Sequence, residues 1–284
     1  MDKVIGLGPT GCGVADEFVA YPEYKIYKIN NNLDSRGNFH SHLAIEAQNN
    51  MQAYEENFDG IDAEAYLETI QPEDEVLFVI GGGEPISGIS LSLMEQIRES
   101  RISVLYVAPD LEVCTQSQKR DHKIALGILQ EYARSGALER MFLVSRPQVE
   151  KLVGDVSINK YEKTINHFIA YVVAMINYYD HVTPVMSNRS SLLPISRIAT
   201  FLVSSLEEDS QVSFLYPMQT WQEENYYYGI PAADLEEDTQ LTRQIKEHAK
   251  RTSDPEANTS FSVYSTTFHE RMVLGVVYSK DVQT

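Results

Sequence analysis

The feature that most constrains the fold is an apolar strand that runs into a glycine-rich turn and then a helix. The strand, residues 3–6, leads into Gly6-Leu7-Gly8-Pro9-Thr10-Gly11-Cys12-Gly13, and a helical pattern covers residues 11–20. The turn has GxGxxG spacing, in which glycines let backbone N–H groups approach a phosphate and the helix N-terminus adds partial positive charge. The motif predicts a phosphate-binding turn, with a purely structural turn as the alternative.

The first half of the chain alternates strands with helices, which is the pattern of a doubly wound α/β layer. The run Val76-Leu77-Phe78-Val79-Ile80 is apolar throughout and suits a parallel sheet that is buried on both faces. Ligands of such sheets bind beyond the carboxyl ends of the strands. The predicted strands are 3–6, 24–29, 75–80, 103–107 and 140–145, and the predicted helices are 11–20, 45–55, 63–70, 89–99 and 117–135.

A long helical pattern, residues 160–178, follows this half. Its apolar residues form a single stripe at i, i+3, i+4, i+7, i+8 and i+11, namely Ile165, Phe168, Ile169, Val172, Val173 and Ile176. Farther on we predict helices at 195–206 and 240–251 and strands at 212–216, 225–229, 261–266 and 272–278, the last two as a hairpin around His269-Glu270. The predicted fold class is α/β, with a Rossmann-like nucleotide-binding domain (1–159), a long central helix (160–180) and a smaller α+β C-terminal domain (181–284).

Composition argues against several classes of protein. The chain of 284 residues has 41 acidic and 23 basic side chains and a formal net charge of −18, so we expect no direct nucleic-acid binding. No apolar run approaches the roughly 20 residues that span a bilayer, so we expect no membrane insertion. The segment Met1-Asp2-Lys3 lacks the basic and apolar regions of a secretory signal. Cys12 and Cys114 cannot form a disulfide framework, and together these features predict a cytoplasmic location.

Two single-residue hypotheses concern Cys12 and a histidine pair. Cys12 lies at the start of a helix, where the pKa of a thiol falls, but the sequence shows no base to pair with it. His40 and His42 have the chemistry of metal ligands, yet no third ligand stands at a sensible spacing. We therefore expect neither a catalytic cysteine nor a protein-bound metal site.

A second glycine cluster repeats the arrangement of the first. Gly81-Gly82-Gly83-Glu84-Pro85-Ile86-Ser87-Gly88 follows a buried strand and precedes a helix. Two glycine loops at successive strand ends can surround one polyphosphate from two sides, and a tight turn forced by packing is the alternative. Glu84 would oppose a phosphate unless it points away or acts through a metal.

The sequence around the loops bears on other kinds of nucleotide site. No Gly-Lys-Ser/Thr follows the first loop, so it is not a Walker loop. A dinucleotide site needs an acid at the end of the second strand, roughly 20 residues after the glycines, to bind the ribose. That strand ends in Asn30-Asn31-Asn32, and Asp34 comes late, which weakens the hypothesis of an NAD-binding Rossmann enzyme.

The two loops together resemble those of the tubulin/FtsZ family of GTP-binding cytoskeletal proteins. Members have a glycine-rich first loop, a second loop of the form GGGTGTG or GGGTGSG, a long central helix and a smaller C-terminal domain, in an order similar to this chain through about residue 180. The resemblance implies that GTP or GDP, with Mg²⁺ as a candidate accompanying ion, is held by Gly8, Gly11, Cys12, Gly81, Gly82 and Gly83. It also implies that Arg120 contacts the nucleotide. Tyr161 is similar to the aromatic residue that stacks on guanine, and Asn166 is similar to the asparagine that reads its edge, although their spacing is one residue off; a solvent-facing helix residue is the alternative for Asn166.

The chain also departs from the family pattern. Glu84 and Pro85 stand where the second loop has threonine, and Pro85 removes a backbone donor. The family's Asn-x-Asp-x-x-Asp segment after the central helix corresponds to Asn188-Arg189-Ser190-Ser191-Leu192-Leu193, which has Ser190 and Leu193 at the acid positions. Arg146 replaces an asparagine before the central helix. Loss of a positioned general base typically costs about 10²–10⁴-fold in rate, so hydrolysis should be weak or absent.

These observations lead to three hypotheses. The first is a tubulin/FtsZ-like protein that binds a guanine nucleotide and self-assembles head to tail into filaments, with at most weak GTPase activity. The second is a degenerate structural or adaptor protein that keeps this fold without hydrolysis. The third is an NAD-binding Rossmann enzyme.

Overall fold

The structure, a computed structural model, describes residues 1–31, 41–207 and 211–284. These residues form two compact units, Met1–Tyr171 and Val172–Thr284, and the boundary falls within one long helix. The three-part division expected from the sequence, at 159/160 and 180/181, stays a prediction.

The first unit is built on a sheet in which all the described strands pair in parallel. Their order is β3-β2-β1-β4-β5-β6, which is the strand order of a Rossmann sheet. Because β1 lies between β2 and β4, the winding reverses there, and the crevice beyond the carboxyl ends of β1 and β4 is the expected ligand position. The strands are β1 (Lys3–Leu7), β2 (Lys25–Asn30), β3 (Ser41–Ala44), β4 (Glu75–Gly81), β5 (Arg101–Ala108) and β6 (Arg140–Ser145).

Helices connect these strands, and their ends follow local sequence signals. Thr115 and Gln118 form a reciprocal capping box at the start of α5, and Gly136, with φ of 87°, ends that helix. The predicted helix at 45–55 is wrong in its first half, because Asn50 caps the helix by accepting a hydrogen bond from the Ala53 N–H. The helices are α1 (Gly8–Glu17), α2 (Met51–Glu56), α3 (Ala63–Leu67), α4 (Ser90–Gln96), α5 (Gln116–Ser135), α6 (Arg146–Val153) and α7 (Tyr161–His181).

The second unit is a mixed sheet with two helices of its own among its described residues. The strand order is β8-β12-β10-β11-β7, with β9 paired to β8. β10 runs parallel to β11 and antiparallel to β12. The elements are β7 (Met186–Ser187), β8 (Ile198–Ser204), β9 (Ser213–Phe214), β10 (Glu223–Pro231), α8 (Ala232–Glu237), α9 (Leu241–Thr252), β11 (Asn258–Thr266) and β12 (Met272–Ser279). The predicted fold class, α/β with a Rossmann-like first domain and a smaller α+β second domain, is confirmed.

Two predictions for the second unit are wrong. The segment 195–206 was expected to be helical, but Ile198–Ser204 forms β8, because a short buried run cannot be assigned to helix or strand by periodicity alone. The expected hairpin of the last two strands is absent from the described sheet: β10 lies between β11 and β12 and pairs with both. Residues 223–231 are buried along their whole length, so β10 takes the central place in the sheet.

The aromatic residues of β10 alternate between the two faces of the sheet, as the two-residue period of a strand requires. The Tyr227 ring stacks on Tyr179 of α7, with ring centroids 6.1 Å apart. The Tyr228 hydroxyl lies on the other face, 2.8 Å from Nδ1 of the buried His248 in α9. Nε2 of His248 lies 3.0 Å from the Ser204 hydroxyl. Burial, with nearby Arg251, lowers the pKa of His248 to about 4.

The lowered pKa of His248 predicts a loss of stability in mild acid. Above pH 6.5 the imidazole is neutral in both the folded and the unfolded chain. As the pH falls from about 6.5 to about 4, the unfolded chain binds a proton that the folded chain does not, which lowers the free energy of unfolding by about 2–3 kcal/mol. Urea unfolding followed by the fluorescence of Trp221, the single tryptophan, measures this change in the second unit.

Substitution isolates the contribution of His248 from that of the carboxylates. We expect His248→Gln to be less stable than the wild type at pH 7 but to lose less stability between pH 6.5 and 4. His269→Gln, at an exposed histidine, is the matched control and should follow the wild type. Parallel pH profiles for wild type and His248→Gln would contradict the assignment.

Candidate functional site

The two glycine loops leave the sheet side by side. β1 and β4 are neighbours, and Leu7 is aligned with Ile80, so both chains reach the carboxyl edge of the sheet together. The helix α1 begins at Gly8, immediately after β1 and earlier than the sequence pattern indicated. Gly8 and Gly83 have φ of 76° and 75°, which is the left-handed region that favours glycine.

Two glycines of the first loop permit close packing of α1 on the sheet. A Cβ at Gly11 would collide with the carbonyl oxygen of Val79 in β4, and a Cβ at Gly6 would collide with the carbonyl oxygen of Gly11. These positions therefore serve packing. The close approach holds the N-terminus of α1 at the edge of the sheet where the second loop begins.

The side chain of Glu84 lies between the two loops. Its Oε1 accepts a hydrogen bond of 3.0 Å from the Thr10 N–H in the first turn of α1. A Cβ at Gly81 would lie 2.6 Å from Oε1, and a Cβ at Gly8 would collide with Oε2. Oε2 is buried and has no hydrogen-bond partner within the described residues. A carboxylate of the chain itself thus occupies the N-terminus of α1.

Burial is the largest influence on the charge of Glu84. It raises the pKa of this carboxyl above its usual value, although the hydrogen bonds from Thr10 and the positive charge of Arg146 act in the opposite direction. The loss of hydration destabilises the ionised carboxylate more than these groups stabilise it.

Arg146 is a residue whose position the sequence did not reveal. It begins α6 directly after β6, and its guanidinium donates a hydrogen bond of 2.5 Å to Glu162 at the start of α7. The same group lies over the ring of Tyr161, 5.8 Å from its centroid. Pro147 in the first turn of α6 was the available signal, since proline favours that helix position.

Asn166 and Tyr161 occupy the first turns of α7. Asn166 is 7% exposed, so the alternative of a solvent-facing residue is wrong. A Cβ at Gly13 would lie 2.5 Å from Nδ2 of Asn166, which places the amide against α1. Oδ1 of Asn166 is buried and accepts no hydrogen bond from any described residue. Tyr161 is half-buried and donates a hydrogen bond of 3.2 Å to Glu150.

Arg120 lies in the second turn of α5. Its side chain is 65% exposed and is 3.3 Å from the carboxylate of Asp121. It lines a cleft of about 570 Å³ behind the second loop, together with Met51, Ser87 and Ile124. Gly82 faces β5 and α5, since a Cβ there would lie 2.6 Å from the Tyr106 hydroxyl and 2.8 Å from Nδ1 of His122, and Gly83 faces α5, since a Cβ there would lie 2.9 Å from the carbonyl oxygen of Gln118. A nucleotide contact by Arg120 stays a prediction.

Solved structures share this architecture over nearly the whole chain. FtsZ of M. jannaschii, an empty dimer, aligns with a TM-score of 0.71 at 14% identity, over 98% of this chain and 87% of that one. TubZ of Bacillus thuringiensis serovar israelensis, a GTPγS-form protofilament, aligns at 0.69 and 15% identity, over 99% and 86%. CetZ2 of Haloferax volcanii, a GTPγS-bound protofilament, aligns at 0.68 and 13% identity, over 98% and 93%.

This chain has the tubulin/FtsZ fold. No protein-family model matches it, and no curated protein matches it by sequence. The resemblance stated from the two glycine loops is confirmed at the level of the fold.

The environment of Cys12 in this tubulin/FtsZ-like chain differs from the sequence expectation. Its thiol is buried, and its single S–H has two acceptors within reach, the carbonyl oxygens of Gly6 at 3.2 Å and Ile29 at 3.6 Å. Burial raises its pKa to about 12. The expectation that this pKa is lowered is wrong, because α1 begins at Gly8, four residues before Cys12, and desolvation outweighs the positive charge of Lys28. A contact between Cys12 and a nucleotide stays a prediction.

The segment after α7 has few groups that can act on a nucleotide. Residues 182–197 contain no Asp or Glu. Asn188 accepts a hydrogen bond of 2.7 Å from the Phe261 N–H, and Arg189 forms an ion pair with Asp180. Asp180 also accepts a hydrogen bond of 3.0 Å from the Tyr227 hydroxyl. The nearest preceding carboxylate is therefore already engaged within its own unit.

The remaining sequence expectations concern metals, dinucleotides and membranes. Asn32, Asp34 and His40 lie outside the described residues, and His42 lies exposed in β3. Across residues 1–31, 41–207 and 211–284, no three His, Cys, Asp or Glu side chains are grouped to hold a metal ion. In the same ranges no helix combines the length and apolar character of a membrane span. The expectation of no metal site stays a prediction, and the NAD-binding Rossmann enzyme stays the weakened third hypothesis.

The burial of Cys12 predicts different reactivity for the two cysteines. At pH 8 a thiol with a pKa of about 12 is about 10⁻⁴ ionised, whereas Cys114 is partly exposed. We expect iodoacetamide to alkylate Cys114 in the native protein and Cys12 only after denaturation, as peptide mass mapping would detect. Native Cys114→Ser should take up no label, and rapid labelling of Cys12 in that variant would contradict its burial.

Proposed function

We propose that this tubulin/FtsZ-like protein binds a guanine nucleotide between its two glycine loops and assembles head to tail into filaments. The observation that supports the proposal is the convergence of both loops at the N-terminus of α1, where the Glu84 carboxylate accepts the Thr10 N–H and lies against Gly8 and Gly81. Helix N-termini of this kind bind phosphate. TubZ and CetZ2, which share the fold, form protofilaments in the GTPγS state.

In this proposal the loops bind phosphate and α7 reads the base. Gly8 and Gly81 to Gly83 bring backbone close to the phosphates, and Gly11 holds α1 in place for them. Asn166 supplies an unpartnered amide oxygen beside α1, and guanine offers N–H donors that such an oxygen accepts. Tyr161 stacks on the base. Cys12 and Arg120 contribute from the periphery, with Mg²⁺ as a candidate counter-ion for the phosphates.

Hydrolysis is proposed to be weak or absent. The family mechanism uses carboxylates from the segment after the central helix, and residues 182–197 have none. Asp180, just before that segment, is bound by Arg189 and Tyr227. Without a positioned base the rate falls by about 10²–10⁴-fold. A head-to-tail contact whose rotation does not close into a ring forms an open filament. Without hydrolysis, such a filament would exchange its subunits slowly.

A second candidate is a structural or adaptor protein that keeps the fold without a nucleotide. The position of Glu84 and the missing N–H of Pro85 favour it, since both weaken a phosphate cradle. The two candidates are separated by the nucleotide content of the purified protein after incubation with about 1 mM GTP, a concentration of the order of ordinary KM values. Bound nucleotide favours the first candidate, and an empty pocket favours the adaptor. An NAD enzyme would instead be stabilised thermally by NAD.

The role of Asn166 provides a direct test. We expect calorimetry to detect GDP binding to the wild type, and Asn166→Ala to weaken it at least about tenfold, because a buried N–H group of guanine left without its acceptor costs about 1–3 kcal/mol. ATP affinity should be low in the wild type, since the amide oxygen accepts N–H groups that guanine presents. Asn57→Ala, at an exposed asparagine, is the control. Light scattering with GTP, together with phosphate release, measures assembly and hydrolysis; absence of both GDP binding and assembly would refute the proposal.

A further inference from the structure

We propose that Glu84 is a built-in occupant of the phosphate position and that a phosphate binds only when this carboxylate leaves. The proposal rests on the phosphate site proposed above but concerns a residue that departs from the family pattern. It identifies Glu84 as the residue that sets the affinity and charge preference of the site.

The first step is the donor that Glu84 occupies. The N–H groups in the first turn of a helix have no intrahelical partner and bind anions. Position 9 is proline, which has no N–H, so Thr10 provides one of the few donors at this end of α1. Oε1 of Glu84 accepts that donor at 3.0 Å. A phosphate oxygen that used the same N–H would have to displace this carboxylate oxygen.

The second step is the space between the loops. The carboxylate contacts Gly8 of the first loop and Gly81 of the second so closely that a Cβ at either position would collide with it. The room that these two glycines leave is therefore filled by Glu84. A phosphate and an ionised carboxylate could not share it, because like charges a few ångströms apart repel.

The third step is that the carboxylate is only partly satisfied. Oε2 is buried without a hydrogen-bond partner in the described part of the chain, so it has no bond to break on leaving. The backbone of residue 84 is fixed, since its carbonyl accepts bonds from the Ser87 N–H at 3.0 Å and the Ser87 hydroxyl at 2.7 Å. Departure thus requires rotation of one side chain and leaves the loop in place.

The surrounding charges favour one direction for this rotation. Arg146 attracts the Glu84 carboxylate, while Glu162 repels it. Arg146 begins α6 and is paired with Glu162, so a displaced Glu84 would share its guanidinium, which offers five N–H donors.

Three variants test the proposal. Glu84→Gln removes the charge and keeps the volume of the side chain, whereas Glu84→Ala removes both. Glu73→Gln is the matched control, because Glu73 is exposed and lies two residues before β4 begins, at the end of the strand away from the loops. Pyrophosphate is the probe, in chloride buffer at pH 7.5, because it reports on the cradle without the base. Calorimetry measures its affinity, and GDP affinity is measured in parallel.

We expect Glu84→Gln and Glu84→Ala to bind pyrophosphate at least about tenfold more tightly than the wild type, and Glu73→Gln to equal the wild type. Equal pyrophosphate affinity in all four proteins, with GDP bound by the wild type, would overturn this inference and leave the proposed nucleotide site standing. Tighter pyrophosphate binding with no GDP binding in any protein would support the inference and overturn the guanine site. No binding of either probe would overturn both. The Gln variant keeps the packing, so the test holds even if the Ala variant fails to fold.

Discussion

The close packing of α1 against β1 and β4 is the constraint on which the candidate site depends. Gly6 and Gly11 allow helix and strands to approach so closely that any side chain at either position would collide with backbone. The helix therefore starts at the residue after β1, and its first N–H groups, which have no partner within the helix, lie at the edge of the sheet. Because β4 is the neighbour of β1, the second loop starts at the same place.

Much of the first unit could be predicted from sequence because its strands are buried on both faces. Continuous apolar runs such as 76–80 have few alternatives when helical patterns separate them. The second unit was harder. β8 is also a short apolar run, but its seven residues fit a helix pattern equally well. β10 lies between β11 and β12 because it is the strand that is buried along its whole length. The short connection between β11 and β12 instead indicates a hairpin, so the sequence pattern predicts the wrong pairing.

The two loops of the candidate site were predictable, but the side chains around them were not. The sequence identified Glu84 as a residue that opposes phosphate, yet only the structure shows its bond to Thr10. Arg146 was recognised as a departure from a family pattern, and its proximity to Tyr161 and Glu162 depends on the direction in which α6 leaves the sheet. Spacing along a chain carries little information about such directions. The burial of Asn166 likewise depends on how closely Gly13 lets α7 approach α1.

The pKa values of Cys12 and Glu84 both show that burial outweighs the favourable electrostatics near the start of α1. Glu84 accepts a hydrogen bond from the first turn of α1 and Cys12 follows that turn, a region in which the helix favours a negative charge, yet burial raises the pKa of each. A single hydrogen bond from Thr10 does not compensate for the loss of water around a carboxylate that has a second, unpartnered oxygen. A phosphate differs because its several oxygens can accept N–H groups from both loops at once. In the proposed function, a ligand with several acceptors would therefore match the site better than the single carboxylate that occupies it, and this difference is what would favour displacement of Glu84.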